Sequence, residues 1–346
     1  MHALSSAIIF LFILFVLVLA GRVYQIIGTT KDWAKFPPPG QIIEVGGHRL
    51  HIWCMGDGSP VVVFDSALGA SCLSWAMVQP SVAGFTRACS YDRAGFGWSD
   101  AGPIPRTAQR IANELHALLA GARVPGPYVL VGHSFGGFTA RLFASRYRDD
   151  VAGMVLVDPA DPEEWLQITE QKKKRVETGA ALCRRGVWLA RLGIARFVSL
   201  LASVGAFELA RSTVSLVSHG ALRREEESLL APVNKLPSHL RPALRTFWTQ
   251  PKFFEALASQ IEAIYESAAQ VASTGDYGDM PLTVLSAGNS GPVQLARHEA
   301  MARLSGRGKH IIASKSGHWI PVDQPELVVE SIRQVIKAAR ERAVAR

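Results

Sequence analysis

Residues 128–137 read Tyr128-Val129-Leu130-Val131-Gly132-His133-Ser134-Phe135-Gly136-Gly137. A short apolar run ends, and a serine follows between two glycines. Such a run has the pattern of a strand buried on both faces. The residues after it, Phe138-Thr139-Ala140-Arg141-Leu142-Phe143-Ala144, continue as an amphipathic helix. The glycines let the chain turn sharply from strand to helix and hold Ser134 at the apex. This is the Gly-x-Ser-x-Gly arrangement in which a serine Oγ stands exposed at the top of a sheet. The pattern alone is weak because glycine and serine are common. The strand before it and the helix after it favour a nucleophile over an ordinary strand–helix turn.

Working outward, the same rhythm recurs. Gln41–Val45 and His48–Cys54 flank Gly46-Gly47 and read as a hairpin. Val61–Phe64 is a continuous apolar run, Arg87–Tyr91 a further strand candidate, and Met154–Val157 another apolar run. Thr107–Leu119 places Ile111, Leu115, Leu118 and Leu119 on one helical face. Strands alternating with helices predict βαβ units and a largely parallel sheet. After Asp158 the rhythm breaks. From about residue 160 to 280 the pattern is helical, and strand character returns at Leu282–Leu285 and His310–Ala313 before a final helix, Glu326–Arg340. An insertion of about 120 residues with helices of its own reads as a lid or cap over a site.

The chain of 346 residues is 48% hydrophobic and 19% charged, which fits one large α/β domain with an insertion. The net charge of +8 is dispersed. Its densest run is Lys172-Lys173-Lys174-Arg175, with Arg184-Arg185 and Arg223-Arg224 nearby, and reads as a solvated helix face rather than a binding patch. No nucleic-acid-binding module accompanies these charges, so nucleic acid is not expected as a partner.

The N-terminal region differs in kind. Ala3–Gly21 carries no charge, and Ile8–Leu19 is wholly apolar, enough for a short membrane span. Residues 1–21 therefore read as a single-pass anchor. The rival is a signal peptide cleaved after Ala20, giving a secreted or periplasmic protein, but no Lys or Arg precedes the apolar run. Arg22, Lys31 and Lys35 follow it, and the positive-inside rule would put the remaining domain in the cytoplasm. Residues 22–40 read as a tether ending in Pro37-Pro38-Pro39-Gly40, a stiff extended stretch. The expected division is residues 1–21 anchor or signal, 22–40 linker, 41–159 first part of the core, 160–280 cap and 281–346 second part of the core. Four cysteines, Cys54, Cys72, Cys89 and Cys183, are too few for a disulfide scaffold.

A serine hydroxyl needs a base to take its proton, and that base needs a third group to fix its tautomer. His318 fits as base because Ser316-Gly317-His318-Trp319 follows a strand near the end of the chain, in the order Ser…Asp/Glu…His. His48 and His51 belong to the first hairpin, His116 and His298 to helical stretches, and His310 begins a strand. His133 precedes the serine, where its side chain should point away from the nucleophile.

At these residues the chain resembles the α/β-hydrolase superfamily, in its cap-bearing, esterase-like branch. The resemblance covers about residues 41–340. It rests on Phe64-Asp65-Ser66-Ala67-Leu68-Gly69-Ala70-Ser71, on Tyr91-Asp92-Arg93-Ala94-Gly95-Phe96-Gly97-Trp98-Ser99, on Gly132–Gly137 and on Ser316-Gly317-His318. It implies an eight-stranded, mostly parallel sheet flanked by helices, with the cap inserted after strand six. It implies a serine hydrolase acting on an ester or lipid-like small molecule, with no metal or organic cofactor. Most members carry the triad acid after strand seven. Here that loop, Ser286-Ala287-Gly288-Asn289-Ser290-Gly291-Pro292, has no carboxylate. Asp158, at the end of strand six, is the expected acid instead. Asp161 is a lesser candidate, and Asp276 and Asp279 lie at the wrong end of strand seven. By motif position the oxyanion donors are the backbone N–H groups of Phe135 and Leu68. Asp92 and Arg93 are assigned structural roles, with Asp65 a candidate to brace their loop. In this family strand two lies beside strand four, which would bring Cys54 and Cys89 together. A disulfide there would place the domain outside the cytoplasm, against the charge rule. Apolar cap residues, among them Leu189, Leu192, Ile194, Phe197 and Leu200, suit either an apolar acyl substrate or packing against the core. Peptidase, thioesterase, acyltransferase and carbon–carbon hydrolase activities would use the same triad. A binding protein with a dead site remains the alternative of another class. Oligomeric state is not readable.

Overall fold

The computed structural model describes residues 2–203 and 233–344. Arg223-Arg224 and the rest of residues 204–232 of the expected cap lie outside the described residues. The sheet has eight strands, β1 Gln41–Glu44, β2 Arg49–Met55, β3 Val61–Asp65, β4 Ala88–Asp92, β5 Tyr128–His133, β6 Val151–Val157, β7 Leu282–Ala287 and β8 Gly308–Ala313, in the order β1-β2-β4-β3-β5-β6-β7-β8. β1 and β2 pair antiparallel, as does β2 with β4; every other pairing is parallel.

Both faces of the sheet are covered, which is why its central strands read as unbroken apolar runs. On one face Ile111, Leu115 and Leu118 of helix Ala108–Gly121 and Phe138 and Phe143 of helix Gly136–Arg146 pack over Val63, Leu130 and Leu156. Thr107 caps the first of these helices by accepting from Arg110 N–H. On the other face Val328, Ile332 and Ile336 of helix Pro325–Val344, with Trp75 and Val82, cover Val62, Val129 and Val155. Between β6 and β7 come helices Pro162–Leu166, Glu170–Arg191, Ile194–Ser203, Arg241–Phe247, Pro251–Glu262 and Ile264–Ala272.

The stretch expected to be a tether from residue 22 is different. A single helix runs His2–Lys35, and only Phe36–Gly40 is non-helical. No proline interrupts it before Pro37, and its second half has a surface to pack on, which outweighs the weak preference of isolated polar residues for coil. Trp33 and Phe36 pack against Cys72, Leu73, Trp98, Leu244 and Phe247. Arg196 donates to Asp32 at 2.5 Å, to Gln25 Oε1 at 3.1 Å and to Thr29 Oγ1 at 3.2 Å. Leu4–Lys35 is long and apolar enough to cross a membrane by length and composition.

Cys54 and Cys89 are direct cross-strand partners of β2 and β4 and are joined by a disulfide. Cys72 and Cys183 are free and buried.

Candidate active site

The register of β5 on β6 brings two of the expected residues to one edge. His133 pairs with Val157, so Ser134 and Asp158 are the first residues beyond two adjacent parallel strands. The ladder continues one bond further on each: Ser134 N–H donates to Val157 O at 3.0 Å, and Asp158 N–H donates to Leu285 O at 2.7 Å. Both residues take a left-handed backbone, Ser134 with φ of 54° and Asp158 with φ of 37°. Non-glycine residues there are strained, and the surrounding contacts must hold them. Around Ser134 the contacts leave no room for side chains. A Cβ at Gly132 would overlap the Gly136 carbonyl, and one at Gly136 would overlap the Asp65 carbonyl at the end of β3. The glycines of the motif thus serve close backbone approach as well as the turn.

His318 is brought over from beyond β8. Its Nδ1 and Asp158 Oδ2 are 2.6 Å apart. A carboxylate accepts, so Nδ1 carries the proton and Nε2 is left as a base. Asp158 is 3% exposed at its side chain while His318 is 45% exposed, the contrast wanted of a buried orienting group and an accessible base. Burial pushes the Asp158 pKa up, but hydrogen bonds from His318 and from Ala287 N–H, with the nearby imidazoles of His318 and His298, outweigh it and hold the carboxyl below its ordinary value. Gln294 Nε2 donates to the same Oδ1 at 3.4 Å.

Two histidines that sequence reasoning set aside support this pair. His133 does not stand apart. Its ring centroid lies 4.8 Å from that of His318, and its Nε2–H donates to the His318 carbonyl at 2.8 Å. Burial drives its pKa down to about 3, so it stays neutral beneath His318. His298 is the other. Its Nε2–H donates to the Pro159 carbonyl at 3.0 Å. Its Nδ1 is therefore the acceptor, taking the Ser286 hydroxyl proton at 2.7 Å, and Ser286 Oγ in turn accepts from His310 Nε2–H at 2.7 Å. This buried relay fixes the residue after the strained Asp158. No linear motif could reveal it, since its members lie on β7, on helix Pro292–Ala302 and on β8. Asp161 serves elsewhere: it caps helix Pro162–Leu166 and pairs with Arg297 at 3.0 Å.

The loop after β3 forms the opposite wall. Arg93 pairs with Asp65 at 2.6 Å and also donates to the Ser66 carbonyl, which braces this loop from β4. Among the described residues, no hydrogen bond occupies the N–H of Leu68 in this loop or of Phe135 at the elbow. Asp92 accepts from Cys72 N–H at 2.7 Å and Trp98 N–H at 3.1 Å and pairs with His51 at 2.8 Å. A Cβ at Gly97 would overlap that carboxylate, which accounts for the second glycine of the Asp-Arg-x-Gly-x-Gly segment. His51, Cys72 and Asp92 are of metal-ligating types and lie close together. Their ligand atoms are already committed, His51 Nε2 to the Pro39 carbonyl and both Asp92 oxygens to N–H groups, so the cluster is a hydrogen-bonded brace.

A cavity of about 360 Å³ opens between this wall and the cap. Leu68, Phe247, Phe253, Leu257, Trp319 and Val322 line it, so it borders both the candidate oxyanion loop and the residue after His318. Its size and apolar lining suit a small organic ligand.

The profile of the alpha/beta hydrolase family matches residues 62–331. A thermophilic esterase from Thermogutta terrifontis has a similar fold, with a TM-score of 0.61 over 86% of this chain and 98% of that one, at 21% identity. The "Uncharacterized protein YqjL" of Bacillus subtilis is 36% identical over 105 residues, 30% of this chain and 42% of that protein. An "Uncharacterized vacuolar membrane protein" of Saccharomyces cerevisiae is 30% identical over 129 residues, 32% of this chain and 20% of that protein. The chain thus spans less than half the length of these curated relatives.

Proposed function

This chain belongs to the alpha/beta hydrolase family, and on that premise we propose that it is a serine hydrolase cleaving a carboxylic ester with an apolar, lipid-like acyl group. The observation that carries the reading is the 2.6 Å bond between His318 and the buried Asp158, on the sheet edge that also bears Ser134.

In this mechanism Ser134 Oγ attacks the ester carbonyl carbon as its proton passes to His318 Nε2. Asp158 keeps the proton of His318 on Nδ1 and stabilises the imidazolium that forms. The N–H groups of Phe135 and Leu68 donate to the oxyanion. Collapse of the tetrahedral intermediate expels the alcohol, which takes the proton from His318. Water then attacks the acyl-enzyme, giving its proton to His318, and the acid leaves with Ser134 restored. A serine at the elbow argues against epoxide hydrolase and haloalkane dehalogenase chemistry, which in this fold uses an aspartate nucleophile.

The apolar helix Leu4–Lys35 supports membrane association through the N-terminal segment. The Cys54–Cys89 disulfide supports an oxidising compartment for the folded domain, contrary to the expectation from Arg22, Lys31 and Lys35. The test of the activity is hydrolysis of a p-nitrophenyl ester series by the full chain in detergent, beside Ser134→Ala, with fluorophosphonate labelling of both. Serine-dependent turnover that peaks at a defined acyl length is expected. Absence of both turnover and labelling would sink the proposal.

A further inference from the structure

Two cap helices leave large apolar side chains in solvent. Leu182, Trp188 and Leu189 on Glu170–Arg191, and Ile194, Phe197 and Val198 on Ile194–Ser203, are each 42–67% exposed. All but Leu182 lie within two helical turns of the bend at Leu192-Gly193. Clusters of this kind on a soluble surface mark an interaction site. The bend also packs directly on the N-terminal helix. The Leu192 carbonyl occupies the space a Cβ of residue 21 would need, and Gly193, at φ of 72°, sits against the Gly21 carbonyl and the Tyr24 ring. Four to eleven residues further along, Arg196 binds Gln25, Thr29 and Asp32, and its stem lies over Gly28. Gln25 Nε2 donates to Thr249 O at 3.0 Å, tying the same helix to a third part of the cap. The cap therefore cannot turn independently of the N-terminal helix.

That clamp sets a depth. The charge-free stretch Ala3–Gly21 spans about 28 Å at 1.5 Å per residue, close to the roughly 30 Å hydrocarbon thickness of a bilayer. Gly21 then lies at the hydrocarbon boundary, and the Leu192-Gly193 bend lies there with it. Phe197 and Val198 adjoin Arg196, at the level of Gln25–Thr29, about 6–12 Å further out. The near part of that range falls in the interfacial layer, about 5–8 Å deep on each side. Ile26 and Ile27 of the N-terminal helix are exposed at the same level, 64% and 49%, which continues the apolar surface from the span onto the cap. Trp188, with Arg191 5.4 Å from its ring centroid, has the amphipathic character of interfacial anchors.

We infer that the cap surface formed by Trp188, Leu189, Ile194, Phe197 and Val198 rests in the lipid interface, so that the cap is a second membrane-contact element held in register with the N-terminal helix by the Gly21 and Arg196 contacts. The occupant of this surface is the bilayer that the N-terminal helix enters. The same cap wall backs onto the cavity: Phe254 packs against Gly186 of Glu170–Arg191 and lines the cavity on its other side.

The inference rests on the N-terminal helix being embedded in lipid, and the test separates the two. The full chain is prepared in four variants with one added cysteine each, Leu189→Cys, Phe197→Cys, Phe12→Cys and Lys337→Cys, labelled with an environment-sensitive fluorophore and reconstituted in phosphatidylcholine vesicles. Cys72 and Cys183 are buried and Cys54 and Cys89 bonded, so the unsubstituted chain gives the labelling background. The expected result is a blue shift at 12, 189 and 197, with loss of emission at 189 and 197 when the vesicles carry a nitroxide near the top of the acyl chain and at 12 when they carry one near its end, and neither effect at 337. Quenching at 12 without quenching at 189 and 197 overturns the inference and leaves the span intact. No quenching at 12 overturns both. A blue shift at 189 and 197 without nitroxide quenching assigns the surface to a second copy or another protein and also overturns it. Ester hydrolysis plays no part in this readout, so failure of the proposed activity would leave it unaffected.

Discussion

Asp158→Asn tests the proposed chemistry where the sequence departs from the common pattern of its family. The carboxylate has two duties in the structure. Oδ1 accepts from Ala287 N–H at 3.0 Å, and Oδ2 faces His318 Nδ1 at 2.6 Å. An asparagine can perform one of them. With its carbonyl toward Ala287 N–H, its NH₂ faces His318, and the imidazole must turn Nδ1 into an acceptor and carry its proton on Nε2. That tautomer cannot take the proton of Ser134. The loss expected from the wrong tautomer is about 10⁴ in kcat, or roughly 5.5 kcal/mol at about 1.4 kcal/mol per decade. The fold should survive, because the bond to the backbone of β7 is kept and the side chain has nearly the same shape. The assay is kcat on the best p-nitrophenyl ester, beside thermal unfolding, with Ser134→Ala as the floor and Asp161→Asn as the control. Asp161 serves a cap and the Arg297 pair, so its variant should keep most activity. A loss of less than about tenfold in Asp158→Asn, with unfolding unchanged, would refute the assignment of Asp158 as the orienting acid, being far below that tautomer effect.

Three further outcomes are expected. His298→Leu leaves the buried Pro159 carbonyl without its partner inside the protein, while the Ser286 hydroxyl keeps His310 beside it; at about 1–3 kcal/mol for an unpaired buried group, urea unfolding should report a loss of about 1–3 kcal/mol. His133 is held neutral to about pH 3 when folded but titrates near 6.5 when unfolded. The unfolded state thus gains a proton first as pH falls from 6.5, and stability should drop by up to about 1.4 kcal/mol per pH unit; urea titrations of His133→Asn across that range should show a correspondingly shallower decline, and an identical slope would remove His133 as the cause. The denatured, unreduced chain should expose two thiols, Cys72 and Cys183, to a maleimide, and the reduced chain four; four thiols without reductant would contradict both the disulfide and the oxidising compartment.

Ser134 and His318 were legible because their signals are local. A serine between glycines, after an apolar run and before an amphipathic helix, carries its geometry in adjacent residues, and a histidine after the last strand has its place set by chain order. The strands were legible for a similar reason, since a sheet covered on both faces demands unbroken apolar runs such as Val61–Phe64. Asp158 was legible in part: its position at the end of β6 is local, but its bond to His318, 160 residues away, exists only when β6, β7 and β8 lie side by side. His298, Ser286 and His310 had no signal at all. Each is an ordinary residue of its own element, and the relay arises from the packing of helix Pro292–Ala302 on β7 and β8. The helix beyond Gly21 was misread as a tether for the same reason. Polar residues from Arg22 to Lys35 give little helical signal by themselves, and tertiary contacts to Arg196 and Thr249 supply what the local sequence lacks. The sequence by itself determined the α/β architecture, the elbow and the apolar span, because these depend on periodicity and on residues within a few positions of one another. Only the tertiary structure decided which carboxylate faces His318, that Cys54 meets Cys89, and how the cap is fixed to the N-terminal helix, because each of these depends on the register and packing of elements far apart in the chain.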